Sequence, residues 1–220
     1  MAQQKAHDSN GFPEELLVEY LAITKPIVAL VGDDGLDKIA ESCLLMVKGD
    51  WSAFMAWIRR CPDLTERLFN KGGKLWVEKA FTHVSLLSTH HSTPAAYYLV
   101  RSPEIFERVG DPGLDLLALF LSNISKYSWQ SASRLVEKTT SICQQLVSIT
   151  NQSVLHQILR LAVQITHRNW DNASAIFEQS PEYIKKLAEL ILPYQIIELL
   201  QLVETIALNS SVAAKKLLMI

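Results

Sequence analysis

Cysteine is scarce in this chain of 220 residues: Cys43, Cys61 and Cys143 are the only three. Odd in number, far apart and without a CxxC pair, they argue against a disulfide framework and against a zinc knuckle, and they read as reduced, mostly buried thiols of a cytoplasmic protein. Long apolar runs are missing as well. LLALFL at 116–121 falls far short of the roughly 18 residues that would span a bilayer. The N-terminal MAQQKAHDSNG is polar and lacks the apolar segment of a secretion signal. Neither sign of charge prevails: 21 Lys and Arg against 23 Asp and Glu leave a formal charge of −2. The basic residues gather in no tract, so no global field would hold a nucleic acid. No long stretch has the β-branched alternation of a strand. Motifs of catalysis are absent too: there is no GxSxG and no HExxH, and Lys71-Gly72-Gly73-Lys74 lacks the first glycine and the final Ser/Thr of a P-loop.

What is present is enough to fold. An apolar fraction of 49% with 20% charged residues is that of an ordinary globular chain, since disorder needs far less Leu, Ile, Val and Phe. The chain also repeats itself. In GDWSAFMAWIRRCP (49–62) and RNWDNASAIFEQSP (168–181), Trp51 precedes Pro62 and Trp170 precedes Pro181 by the same eleven positions. Gly35-Leu36-Asp37 stands sixteen residues before Trp51, and Gly113-Leu114-Asp115 stands sixteen before Trp129. A further unit, Gly73 to Val109, has Ser92 in the tryptophan slot. Its RSPEIFERV places Pro103 where RCPDLTERL places Pro62, and the pairs Glu66-Arg67 and Glu107-Arg108 match. Thr140 fills the proline slot of the third unit, so the slots are 62, 103, 140 and 181 and the period is 37 to 41 residues.

Each unit reads as helix, helix, short helix. Leu36, Ile39, Cys43, Leu44 and Val47 form one apolar stripe at helical spacing, and Leu155, Ile158, Leu159, Ala162 and Val163 form another. Asp50, Ser128 and Asn169, directly before the tryptophans, are N-cap types. The prolines are expected to open the third helix, capped by Ser102 and Ser180. KGGK at 71–74 and GDPG at 110–113 mark chain reversals between units. The expected fold is all-α: an α-solenoid of four to five HEAT- or armadillo-like repeats. Its parts are a disordered tail over 1–12, a cap over 13–31 interrupted by Pro26, repeats at 32–70, 71–110, 111–151 and 152–191, and a partial unit at 192–220. That last unit ends on four apolar residues, so the chain is expected to continue, or another subunit to cover this end, giving a homo-oligomer through the C-terminal edge.

Candidate chemistry is thin. Asp33-Asp34-Gly35-Leu36-Asp37 spells DDxxD, the carboxylate cluster by which all-α enzymes hold magnesium and an isoprenoid diphosphate, and Asp171, Ser174 and Glu178 match part of a second metal motif. Helix-start carboxylates opposing the dipole are the preferred reading of the first cluster. His83, His90 and His91 lack a carboxylate or cysteine at a metal-ligand spacing and read as loop histidines. Neither a metal nor a cofactor is expected. Trp51, Trp129 and Trp170 read as core rings filling gaps between helices, more than as a recognition ladder. Arg59, Arg60, Arg101, Glu137, Lys138 and Glu178 fall near the ends of the second helices; if those helices line a concave face, these charges border a partner groove.

STPAAYYLVRSPEIFERV (92–109) and WDNASAIFEQSPEYIKKL (170–187) each join an alanine-containing helix to Ser-Pro-Glu and a further apolar helix. They resemble the helical-repeat region of bacterial von Willebrand factor A proteins of the NorD and CbbO type, over about residues 30 to 205. The resemblance implies a helical adaptor that partners a MoxR-class AAA+ ATPase and presents a client enzyme to it. The family's DxSxS metal site does not occur in these residues, so it is the helical part that is matched. A non-catalytic protein-binding scaffold is the expected function, with a magnesium-dependent diphosphate enzyme and a self-assembling structural protein as alternatives.

Overall fold

The computed structural model describes residues 14–218; the tail expected over 1–12, Pro13, and the terminal Met219 and Ile220 lie outside the described residues. Among the described residues the chain is all-helical, with eleven α-helices and no strand. In chain order they are α1 (Glu14–Val31), α2 (Asp33–Val47), α3 (Trp51–Ile58), α4 (Cys61–Ser88), α5 (Ser92–Val109) and α6 (Asp111–Tyr127). Then follow α7 (Trp129–Ile149), α8 (Gln152–Thr166), α9 (Trp170–Ala188), α10 (Pro193–Ala207) and α11 (Ser211–Leu218). No helix among them is long and apolar enough to cross a membrane.

Helix starts recur at fixed intervals. Asp50, Ser128 and Asn169 cap α3, α7 and α9 as expected, accepting the amides of Ala53 (3.0 Å), Ser131 (3.2 Å) and Asn172 (2.9 Å). Before α5 the same task falls to His91, whose Nδ1 accepts the Thr93 amide at 3.2 Å, and before α11 to Ser210, which accepts that of Ala213 at 3.2 Å. These side chains satisfy amides that a first helical turn leaves free. Positions 50, 91, 128, 169 and 210 are separated by 41, 37, 41 and 41 residues. A second series, Gly32, Gly73, Gly110, Asn151 and Leu192, stands at the start of the other helices with the same intervals. Gly73 has φ 64° and ψ −165°, a region open essentially to glycine alone, so α4 is two helices joined end to end across a kink at the KGGK segment.

The expected third helix is separate only in the first unit, where Pro62 lies in the first turn of α4 and α3 ends at Ile58. Pro103 and Pro181 lie inside continuous helices α5 and α9, Thr140 lies inside α7, and Pro26 does not interrupt α1. The reason is local. A proline at position i has no amide for the carbonyl at i−4, which for Pro103 is Leu99 and for Pro181 is Phe177. Ser102 Oγ donates to Leu99 O at 2.8 Å and Ser180 Oγ to Phe177 O at 2.7 Å. These serines are not caps; they replace the missing donor and let the helix run on. Before Pro62 stands Cys61, and there the helix breaks at Arg59–Arg60.

Every substantial contact joins helices no more than three places apart in chain order. One row is formed by α2, α4, α6, α8 and α10, each packed on the next, and α5, α7, α9 and α11 form a second row against it. Buried side chains run as one cluster from Ile27 to Leu218. The stripe of α8 is buried throughout, whereas in α2 Ile39 and Cys43 are buried and Leu36, Leu44 and Val47 only partly so. Each fully buried Leu, Ile or Phe contributes roughly 1.5–3 kcal/mol. Ion pairs such as Arg67–Glu104 and Lys71–Glu107 (2.6 Å) join α4 to α5, but they are half-exposed, worth at most about 1 kcal/mol each.

The tryptophans correct the sequence reading. Trp51 and Trp129 are 52% and 38% exposed, and only Trp170 is packed, partly buried, against the core. Each is the first residue of its helix, so the ring sits at a capping turn. Trp129 stacks flat on His91, the cap of α5, with ring centroids 4.7 Å apart.

Candidate functional site

The intervals of 41, 37 and 41 residues also relate the exposed positions of the second row. Arg59, Val100, Glu137 and Glu178 are equivalent, as are Arg60, Arg101, Lys138 and Gln179. All six charged residues singled out in the sequence thus fall in these two columns, three in each. Their surroundings differ along the column. Toward the C-terminal end the charges neutralise one another across α7 and α9: Lys138 Nζ lies 3.3 Å and Arg134 Nη2 3.0 Å from the Glu178 carboxylate, and Glu137 is exposed. Arg134 was not among the expected residues.

At the N-terminal end Arg59 reaches back to α1, holding Glu19 through Nε (2.7 Å) and Nη2 (3.1 Å). That hydrogen bonding draws the Glu19 carboxyl below its ordinary range and raises Arg59. Arg60 lies over the Trp57 ring, 5.4 Å from its centroid. Among the described residues neither Arg60 nor Arg101 has a carboxylate partner.

These two arginines flank an opening in the second row. α5 packs on α7 and α7 on α9, but α3 makes its substantial contacts with α1, α2 and α4 and none with α5. Two adjoining clefts of about 290 and 390 Å³ open there, sharing Trp57, Ala96 and Tyr97. Val100 and Arg101 complete the first, while Met46, Val47 and Lys48 from the end of α2, with the α3 cap Asp50, border the second. Tyr97 and Val100 are 41% and 43% exposed. A third hollow, beyond Trp57, is lined by Ala56, Arg59 and Arg60. The arrangement offers aromatic faces for an apolar side chain and guanidinium donors suited to bidentate binding of a carboxylate.

Other candidates from the sequence sit elsewhere. Asp33, Asp34 and Asp37 are exposed at the start of α2, and Asp171 is on α9, a helix with which α2 has no substantial contact. Ser174 Oγ donates to the Trp170 carbonyl at 2.9 Å. No group of three metal-competent side chains occurs among the described residues. Of the three histidines, only His90 lies in a turn; His91 is a cap, and His83 is buried in the second half of α4. Its Nε2 is 2.8 Å from Asp115 Oδ1 and its Nδ1 is 2.9 Å from the Tyr98 hydroxyl, while Lys79 Nζ lies 3.4 Å from Asp115 Oδ2. A carboxylate only accepts, so Nε2 carries the proton and Nδ1 accepts from Tyr98. Burial lowers the His83 pKa although Asp115 pulls it upward, and burial pushes the Tyr98 phenol far up. None of the clefts described above opens onto this network; it ties α4, α5 and α6 together.

The thiols are all buried. Cys43 and Cys61 sulfurs are 3.8 Å apart, and the contact with Cys43 together with burial raises the Cys61 pKa well above its ordinary value. Burial pushes Cys143 up to about 12. Neither Cys61 nor Cys143 is a ready thiolate nucleophile. Comparison with protein-family models, with curated proteins and with solved structures finds no match to this chain.

Proposed function

We propose that this chain is an α-solenoid of HEAT- or armadillo-like units that acts as a non-catalytic scaffold, binding another protein along its second row of helices. The observation that carries this reading is the strictly local packing. When each helix contacts only its near neighbours, the exposed sides of α3, α5, α7 and α9 lie next to one another as an extended surface, as in repeat proteins generally. The two series of helix starts, with common intervals, support the division into units. The narrower form, an adaptor for a MoxR-class AAA+ ATPase, rests on the resemblance of the Ser-Pro-Glu segments alone.

Affinity capture with the full chain as bait, followed by crosslinking and mass spectrometry, tests the scaffold. A recurrent partner protein with crosslinks on α3, α5 and α7 is the expected result. Recovery of no partner, or crosslinks confined to α2, α6 and α8, contradicts it. A MoxR-class ATPase among the captured proteins supports the adaptor, and its consistent absence refutes that form.

A further inference from the structure

We infer that the cleft between α3 and α5 docks an acidic peptide segment of the partner protein, with an apolar side chain of that segment seated between Trp57 and Tyr97. The inference rests on the scaffold reading and adds the chemistry of what is bound and where. Three observations converge. First, among the described residues α3 and α5 are the one consecutive pair of the second row without substantial contact, whereas where α7 meets α9 equivalent positions are closed by packing and by the Arg134–Glu178 and Lys138–Glu178 pairs. Second, the unbalanced charge around the opening is positive. Lys48, Arg60 and Arg101 have no carboxylate partner among the described residues, Arg59 is already neutralised by Glu19, and Asp50, which caps α3, is the one acid of the cleft lining, so three cations face one carboxylate. In a chain of net charge −2 this is a local arrangement, not a reflection of composition. Third, apolar surface stands between those cations: Tyr97 and Val100 are among the more exposed large apolar side chains of α5 although α5 is otherwise closely packed on both α4 and α7.

A carboxylate-bearing peptide satisfies both halves of the site. Its acidic groups meet guanidiniums that are only weakly engaged, and its apolar side chain covers the exposed rings, a pairing that gives both steering and residence. Nucleic acid is the poorer fit, because its affinity grows with the number of phosphates neutralised and three cations supply few such contacts.

The test is fluorescence anisotropy with the full chain and labelled short peptides. One probe sets Leu-Phe pairs between glutamates, a second replaces the glutamates by lysine, a third replaces the Leu-Phe pairs by serine, and an oligothymidylate of similar length is the fourth. The acidic Leu-Phe peptide is expected to bind at least about tenfold more tightly than each of the others. Arg60→Glu with Arg101→Glu is expected to weaken it by about tenfold or more, and Tyr97→Ala by several fold, with helicity by circular dichroism unchanged because these side chains are solvent-facing. Arg168→Glu, an exposed arginine in the turn before α9, should leave binding unchanged. Equal binding of the lysine peptide, tighter binding of the oligothymidylate, or full binding by the double variant overturns the inference. If the double variant still captures the recurrent partner undiminished, the groove is wrong while the scaffold stands; if no bait captures a partner, the scaffold itself has failed.

Discussion

Tyr98 is fully buried, and its hydroxyl meets the Nδ1 of His83 at 2.9 Å. Tyr98→Phe leaves that acceptor stranded without changing the packing much, and is expected to cost about 1–3 kcal/mol in urea unfolding near neutral pH. The same pair sets a pH dependence. Burial holds the folded His83 below its ordinary value of about 6.5, so on acidification the unfolded chain takes up the proton first and gains stability relative to the folded one. The contribution of His83 is therefore complete above about pH 6.5 and shrinks as the pH falls from there toward the lowered folded value. His83→Gln should lower stability overall and flatten that part of the profile; an unchanged slope contradicts the account. Asp115 does not interfere in this window. Burial opposes its ionisation, but the His83 hydrogen bond and Lys79 outweigh it, and the carboxyl stays below its ordinary 3.8. His83 was read as a loop histidine, although it falls on the stripe of Ala80, Val84 and Leu87 that is buried in α4. Its partners were not legible, because Tyr98 and Asp115 are 15 and 32 residues away and meet it only through packing.

At the scale of the helix, Ser-Pro and Cys-Pro behave differently, and the difference is one hydrogen bond. Ser102→Ala leaves the Leu99 carbonyl with neither the proline's missing amide nor the hydroxyl, inside a buried stretch of α5. The expected loss is about 1–2 kcal/mol in chemical denaturation. Adding Pro103→Ala restores a backbone donor to the same carbonyl, so the double variant should recover much of the loss, and a double-mutant cycle should show coupling. Strict additivity, or a Ser102→Ala variant as stable as the original, contradicts the substitution of hydroxyl for amide. Caps and apolar stripes were legible in the sequence because each depends on residues within a few positions: Asp50, Ser128 and Asn169 cap as their side chains dictate. Fusion of the second and third helices was missed because proline is ordinarily a helix opener, and the rescue depends on which residue precedes it. Trp51 and Trp129, unlike Trp170, were misjudged for a related reason. Their regular spacing reported the start of a helix, where a ring is only partly covered, and not a place in the core.

For the molecule as a whole, the intervals of 41 and 37 residues were readable from Trp, Pro and Gly-Leu-Asp alone, because those residue types sit at helix starts and kinks that return at these spacings. Which of the column charges remain unpaired was not readable. Arg59 is neutralised by a residue 40 positions earlier and Lys138 by one 40 positions later, while Arg60 lies over the Trp57 ring and Arg101 borders the cleft beside it. The central claim is that stability is built from neighbour to neighbour along the chain, so that no helix depends on one far from it. α10 packs mainly on α8, and α11 on α10 and then α9. The most direct test is to end the chain at Ile191, deleting both, and to follow thermal unfolding by far-UV circular dichroism. The account predicts a remaining chain of undiminished helicity per residue that melts in one cooperative transition at a lower temperature. Loss of the cooperative transition together with collapse of helicity would contradict it.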